Sequence, residues 1–141
     1  MIVLDTNVIS EVNRKNVLAS VHQWYDSQDI GNLYLCATTI AEMAYGADRV
    51  FLRDRSKRYQ LELGALVEGV FHGRILMFET RAAIRNGNIR SVREAAGRPM
   101  GLGDSQIAAT CLVHGATLAT RNVRDFEGLG LKLVNPFEVA A

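Results

Sequence analysis

The sequence has little cysteine, no long apolar run and almost no net charge, and each of these excludes a class of protein. The two cysteines, Cys36 and Cys111, stand far apart, which excludes a zinc knuckle and a CxxC redox pair. Both lie among apolar residues, so we expect small, buried side chains. No apolar stretch approaches the roughly 20 residues of a membrane-spanning helix. A formal net charge of +1 does not suggest a general binder of polyanions.

Two further absences concern location and chemistry. The N-terminal segment lacks the basic region and the longer apolar region of a signal peptide, so we expect a cytoplasmic protein that does not contact a membrane. The three histidines, His22, His72 and His114, stand in no motif typical of a general base. Acid–base chemistry by a pair of histidines is therefore not expected.

The residues that are present indicate one globular domain, which we expect to span residues 1–141. Hydrophobic residues make up 48% of the chain and charged residues 22%, a balance that excludes disorder. Arginine is clustered, and most of these side chains are expected on solvated helix faces. A minority, such as Arg81, Arg85 and Arg93, could instead line a groove that holds phosphates.

Short apolar runs alternate with patterns of helical period along the whole chain. The strands are predicted at residues 1–4, 33–37, 75–78, 116–119 and 131–134, and the helices at 6–13, 17–27, 39–50, 54–71, 81–96 and 104–114. Strands separated by helices imply right-handed crossovers and a parallel sheet. The pattern therefore predicts a three-layer α/β/α domain with a short parallel sheet of four or five strands.

Four carboxylates stand where one predicted element meets the next: Asp5, Glu42, Asp104 and Asp125. Each has an ordinary interpretation, since Asp5 and Asp104 are good helix caps and Thr39-x-x-Glu42 matches a capping box. Capping does not require carboxylates after successive strands, however, because Ser, Thr and Asn cap equally well. In an open α/β fold such junctions gather at one edge of the sheet. Clustered carboxylates repel one another unless a cation holds them, so the pattern predicts a hard metal ion there.

The segment after the strand at 116–119 leaves the fourth position open. Either Asn122 or Asp125 could face the cluster, and either could merely shape the turn. The hydroxyls of Thr6 and Thr120 lie at the same edge and could bind a phosphate or a water, and Arg121 is a further candidate for phosphate binding.

Five motifs in this order carry a resemblance to a known family. They are MIVLDTN at 1–7, TIAEMAYG at 39–46, GDSQIAA at 103–109, ATRNVRDF at 119–126 and LVNPF at 133–137. With them the sequence resembles the PIN-domain ribonucleases, and among these the VapC-type and FitB-type toxins of bacterial toxin–antitoxin systems. The likeness covers essentially the whole chain. It implies an endoribonuclease that depends on Mg²⁺ or Mn²⁺.

The resemblance also implies site residues and partners. Asp5, Glu42 and Asp104 match the family's three acidic metal-site positions. Many members have Asp where this chain has Asn122, with a further acidic residue three positions later, here Asp125. The amide lowers the charge of the site by one, which leaves one or two metal ions open. The family further implies a homodimer and a cognate antitoxin, with operator DNA bound only indirectly through that antitoxin.

Acidic residues without histidine suit hydrolysis by metal-activated water. We assign Asp5 and Asp104 as metal ligands, direct or through water, and Glu42 as the group that positions the attacking water or binds a second ion. Asn122 or Asp125 completes the shell. The expected products are a 3′-hydroxyl and a 5′-phosphate.

Two rival functions are weighed against this hypothesis. A catalytically idle PIN-like module that only binds RNA or protein would keep the fold and lose the carboxylates, whereas Asp5, Glu42 and Asp104 are all present. A phosphoryl-transfer protein of receiver or haloacid-dehalogenase type also has an Asp after its first strand. The dehalogenase type needs a second Asp where this chain has Asn7, and the late lysine of receivers is missing.

Overall fold

The computed structural model describes residues 1–138 and has a five-stranded, entirely parallel sheet between layers of helices. The strands are β1 (Ile2–Leu4), β2 (Leu33–Cys36), β3 (Ile75–Leu76), β4 (Thr117–Ala119) and β5 (Leu133–Val134). The helices are α1 (Thr6–Val12), α2 (Ala19–Ser27), α3 (Ala37–Asp54), α4 (Arg58–Ala65), α5 (Thr80–Ala95) and α6 (Leu102–His114). The predicted three-layer α/β/α fold is confirmed.

The order of the strands across the sheet is β3-β2-β1-β4-β5, so the first strand of the chain lies at the centre. Ile2 pairs with Leu33 on one side and with Thr117 on the other. The chain therefore begins in the middle of the sheet and builds outward first to β2 and β3 and then to β4 and β5. The order reverses beside β1, and in open α/β sheets a site forms at such a switch point.

The core is divided between the two faces of the sheet. Val3 packs with α5, α6 and Phe126, whereas its neighbour Leu4 packs with α1 and Phe71 on the other face. This alternation follows from the two-residue period of a strand whose faces are both covered. Cys36 and Cys111 are buried free thiols, as expected, and burial raises the pKa of both.

Two helix starts differ from the prediction. Helix α3 begins at Ala37 with Cys36 as its cap residue, so Thr39 lies within the first turn and Glu42 within the second. The predicted capping box is therefore wrong, and the Thr39 hydroxyl lies 3.4 Å from the Cys36 sulfur instead. Helix α6 begins at Leu102, which makes Asp104 a first-turn residue and not the cap. Both carboxylates are thereby left without a capping role.

The long helix predicted at 54–71 is interrupted. Helix α3 extends to Asp54 and ends at Arg55, whose φ of 59° is left-handed, and α4 then starts at Arg58. A short π-helical turn follows at Leu66–Val70 and brings Phe71 into the core. The last predicted helix ends at residue 114 as expected, and Gly115 caps it with a left-handed φ of 64°. Across residues 1–138, no helix combines the length and the apolar character needed to cross a membrane.

Candidate active site at the carboxyl edge of the sheet

The four carboxylates singled out in the sequence meet at the carboxyl ends of the three central strands. Asp5 follows β1 directly, Glu42 lies in α3 after β2, and Asp104 lies in the first turn of α6. Asp125 lies in a 3₁₀ turn at Val123–Phe126, after β4. Since β2, β1 and β4 are neighbours and parallel, their ends deliver three of these groups to one edge, and α6 brings the fourth beside them.

Asp5 is the most buried member of the cluster, with 5% of its surface exposed. Its Oδ1 accepts a hydrogen bond from the backbone N–H of Thr6 at 2.8 Å and so caps α1. Its Oδ2 accepts one from the Thr120 hydroxyl at 2.7 Å and one from the Asn7 amide at 3.3 Å. These contacts fix both oxygens of the carboxylate in place.

The carboxylates repel one another. Burial raises the pKa of Asp5, and the charge of Asp125 adds to the rise, while the hydrogen bonds from Thr120, Thr6 and Asn7 oppose it. The pKa of Glu42 is raised by desolvation and then by the charges of Asp5 and Asp104. The pKa of Asp104 is raised by desolvation and then by the charges of Asp5 and Asp125. Such mutually perturbed acids at a strand edge are typical of a functional site.

A small polar cavity of about 190 Å³ opens at this edge. Its walls include Asp104, Asp125, Arg93 and the loop residues from Pro99 to Gly101. A second cavity of about 300 Å³ lies among α1, α3 and α4, has mainly apolar walls, and is lined by none of the four carboxylates. The cavity at the acidic edge is therefore the one where polar chemistry is expected.

The donor set at this edge is open and consists of oxygen atoms. Within residues 1–138, no three side chains of Asp, Glu, His or Cys approach closely enough to surround one ion. The four carboxylates therefore interact as charges without forming a closed cage. Hard oxygen donors suit Mg²⁺, which commonly binds through one or two carboxylates and keeps several waters. In donor type, though not in a closed arrangement, the residues resemble the ligands of a hydrated hard cation and not those of a zinc-type centre.

The alternatives for the fourth position differ in their surroundings. The charge of Asp125 acts on both Asp5 and Asp104. Asn122 and Asp125 are both exposed, and the backbone N–H of Asn122 donates to the Thr120 hydroxyl at 3.0 Å. The charge of Asp125 thus reaches the cluster, whereas Asn122, as a neutral amide, could contribute only through its carbonyl oxygen.

The three residues predicted to bind phosphate, Thr6, Thr120 and Arg121, differ from one another in burial and in contacts. Thr120 is fully buried, and its hydroxyl supports Asp5 and the turn, so it is not free to bind a phosphate. The Thr6 hydroxyl is buried without a hydrogen-bond partner in the described part of the chain. Arg121 is exposed, and its guanidinium lies 4.7 Å from the centre of the Phe137 ring.

The prediction that Arg81, Arg85 and Arg93 share a surface groove is wrong for Arg93. Arg81 and Arg85 are exposed and line a cavity beside α6, but Arg93 is buried and donates to backbone carbonyl groups. The helical period alone could not separate them, because arginine is so seldom buried that all three were assigned to the surface.

Further supporting contacts were missed by the sequence reasoning. The Thr38 hydroxyl donates to Gln106 Oε1 at 3.1 Å and so joins α3 to α6, the helices that carry Glu42 and Asp104. Gly103 lies so close to Glu42 that a Cβ atom there would be 3.3 Å from Oε1. No local signal marks these residues, since the contacts form only when the two helices meet.

Comparison with known proteins agrees with this geometry. A family model described as PIN domain matches residues 2–130. The chain is 38% identical over 140 residues to VapC ribonuclease Y4jK of Sinorhizobium fredii, covering 99% of this chain and 100% of that protein. It is 34% identical over 137 residues to toxin FitB of Neisseria gonorrhoeae, covering 97% and 99%. The crystal structure of FitAcB from Neisseria gonorrhoeae superposes with a TM-score of 0.85 at 34% identity, covering 99% and 100%. The chain therefore belongs to the PIN-domain family, as its motifs predicted.

Proposed function

We propose that this protein is a metal-dependent endoribonuclease and the toxin of a toxin–antitoxin pair. The observation that carries the proposal is the convergence of Asp5, Glu42, Asp104 and Asp125 at one edge of the sheet, where burial and neighbouring charges raise the pKa of the first three. The similarity to proteins named VapC ribonuclease and toxin FitB supports the same assignment.

The chemistry follows from the donor set. When bound, Mg²⁺ or Mn²⁺ supplies neutralisation of charge on the phosphoryl oxygens and a lowered pKa for a coordinated water. Asp5 and Asp104 would hold the ion, directly or through water, and Asp125 would add negative charge at the same edge. Glu42, at the exposed rim, orients the attacking water. The oxygen of that water would join the phosphorus as one of its protons passes to solvent, the bond from phosphorus to O3′ would break, and O3′ would take a proton from solvent and leave as a hydroxyl.

The supporting residues keep the acidic groups in place for this reaction. Thr120 and Asn7 donate to Asp5, which holds its Oδ2 in one orientation. The contact between Thr38 and Gln106 fixes α3 relative to α6. Catalysis gains from such fixed geometry, because the reacting groups need not be ordered during the reaction.

The partners are proposals of the same kind. A similar protein has been solved as FitAB bound to a DNA fragment, at a TM-score of 0.86 and 35% identity. We take this as support for a cognate antitoxin that contacts operator DNA on behalf of the pair. A homodimer is the oligomeric state that we expect in the absence of that antitoxin.

The test is cleavage of an unstructured RNA with Mn²⁺ by the wild type, by Asp5→Asn and by Asp26→Asn. Asp26 is a matched control, since it is an exposed aspartate on α2 beside His22. We expect the wild type and Asp26→Asn to cut and Asp5→Asn to lose activity by at least about 100-fold. The ends of the products should be 5′-phosphate and 3′-hydroxyl.

Two results would contradict the proposal. Equal cleavage by the wild type and Asp5→Asn would indicate a contaminating nuclease and leave the idle PIN-like module as the better hypothesis. Ends carrying 2′,3′-cyclic phosphate would show that the ribose hydroxyl attacks and not water.

A further inference from the structure

Arg93 is a buried cation that has no part in the function proposed so far. It lies near the end of α5 with 8% of its surface exposed. Its Nε donates to the carbonyl of Arg98 at 2.9 Å. Its Nη1 donates to the carbonyls of Asp125 at 3.3 Å and Glu127 at 3.4 Å. One guanidinium therefore holds three backbone carbonyls from two distant parts of the chain.

These two parts carry two members of the acidic cluster. The loop after α5, fixed at Arg98, leads into the first turn of α6 and Asp104. The other part is the 3₁₀ turn that contains Asp125. The backbone N–H of Arg98 also donates to the Arg93 carbonyl at 2.8 Å, so the loop is held from both sides. Arg93, Asp104 and Asp125 line the same cavity of about 190 Å³.

The residue type suits this task. No carboxylate among residues 1–138 lies within ion-pair distance of Arg93, so its hydrogen bonds to carbonyls must compensate for burial of the charge. A planar guanidinium presents donors in several fixed directions, whereas a lysine ammonium is a single point on a flexible stem. Lysine keeps the charge but carries all its donors on one nitrogen, so it cannot reproduce the separate Nε and Nη1 contacts.

We propose that Arg93 is a positioning residue for the active site. It holds the turn of Asp125 against the loop that leads to Asp104 and so sets the distance between these two carboxylates. Arg93 acts through Asp125 and does not itself touch the scissile phosphate. The activity measurements below rest on the proposed nuclease function, whereas the exchange measurement does not.

The test is a double-mutant cycle with Arg93→Lys, Asp125→Asn and the combined variant. Arg90→Lys is the matched control, because Arg90 lies on the same helix, pairs with Glu94 at 3.8 Å and does not line the cavity of Asp104 and Asp125. Each protein is assayed for RNA cleavage with Mn²⁺, with kcat and KM determined separately. Binding of Mn²⁺ alone is measured by calorimetry.

We expect Arg93→Lys to lower kcat or Mn²⁺ affinity by about 10- to 100-fold, as loss of a supporting residue does at metal sites. The KM for RNA should stay within about twofold of the wild type, since no substrate contact is lost. In the Asp125→Asn background the same change should have little further effect. An equal loss in both backgrounds, or a loss confined to KM, would overturn the proposal.

Hydrogen exchange tests the structural part without any activity. We expect faster exchange of the backbone amides at 123–127 in Arg93→Lys and in Arg93→Gln, with Arg90→Lys like the wild type. If the turn loosens but the wild type cuts no RNA, the nuclease assignment fails and the positioning role stands. Unchanged exchange in both Arg93 variants would refute that role. Loss of cooperative unfolding in both would also refute it, since Arg93 would then serve the whole fold.

Discussion

The hydrogen bond from Thr120 to Asp5 offers the sharpest test of how the fold holds its acidic edge. Thr120 is fully buried, and its hydroxyl lies 2.7 Å from Oδ2 of the most buried carboxylate in the cluster. Thr120→Val keeps the shape of the side chain and removes both the donor to Asp5 and the acceptor of the exposed Asn122 N–H, and only the first of these losses depends on the ionisation of Asp5. Burial raises the pKa of Asp5 and the Thr120 bond opposes this rise, so the variant should have a still higher Asp5 pKa.

The size of the effect can be worked out from the contact. A hydrogen bond to a charged group contributes about 1.5–3 kcal/mol to stability. For a chain of 141 residues the entropy of unfolding is about 0.3 kcal/mol per kelvin. We therefore expect Thr120→Val to lower Tm by about 5–10 °C at pH 7. The bond favours the ionised form of Asp5, so its contribution is present above the raised folded pKa and is lost as the pH falls through it.

The assay is thermal unfolding of metal-free protein at several pH values, with Thr117→Val as the control. Thr117 lies on β4, the strand that Thr120 directly follows, and its hydroxyl makes no hydrogen bond within residues 1–138. The control should unfold within about 2 °C of the wild type, as is usual when the replaced side chain makes no hydrogen bond and fills no special role in the fold. A Thr120→Val protein with wild-type Tm, or with a deficit that does not shrink at low pH, would refute the reasoning.

Two further predictions concern the same edge. Gly103→Ala should place a Cβ 3.3 Å from Glu42 Oε1 and displace that carboxylate. We expect Mn²⁺-dependent cleavage to fall about tenfold without loss of stability. The control is Gly87→Ala, whose Cβ meets nothing within 4 Å and which should leave cleavage unchanged. Asp104→Asn should raise the Tm of metal-free protein at pH 7 in thermal scans. The pKa of Asp104 is raised in the folded protein, so the wild type loses stability as the pH rises through that folded pKa. No gain should be seen below about pH 3.8, where the acid is protonated in both the folded and the unfolded chain. A Tm gain for Asp104→Asn that persists at pH 3 would contradict the electrostatic explanation, as would full activity in Gly103→Ala.

The sheet could be predicted from sequence because its signals are local. The short apolar runs at Ile2–Leu4, Leu33–Cys36 and Thr117–Ala119 favour strands between covered faces, and their ends locate the acidic groups that follow. Helix starts were harder to predict, since several residues in a row can cap. Thr39 looked like a cap because Glu42 stands three residues later, yet the helix starts earlier and buries Thr39 in the core. Tertiary packing decided between two starts that the local sequence allows equally.

The supporting contacts could not be predicted, because their partners are far apart in sequence. Arg93 and the Asp125 carbonyl are separated by 32 residues, and Thr38 and Gln106 by 68. Arginine on a helix with several other arginines is normally solvated, so composition argued against the burial of Arg93. Only the path of the loop after α5 and of the turn after β4 brings three carbonyls within its reach.

The two interpretations of Asp5 in the sequence, helix cap and site residue, are not alternatives in the structure. A carboxylate has two oxygens, and here Oδ1 caps α1 while Oδ2 faces Thr120 and Asn7. An asparagine would keep the cap, since its side-chain oxygen accepts the same N–H, but it would remove the negative charge that a cation requires. Ser or Thr could likewise cap, and neither could hold a hard ion as strongly. Capping therefore explains why an oxygen stands at the end of β1, whereas the proposed cation would explain why that oxygen belongs to an aspartate.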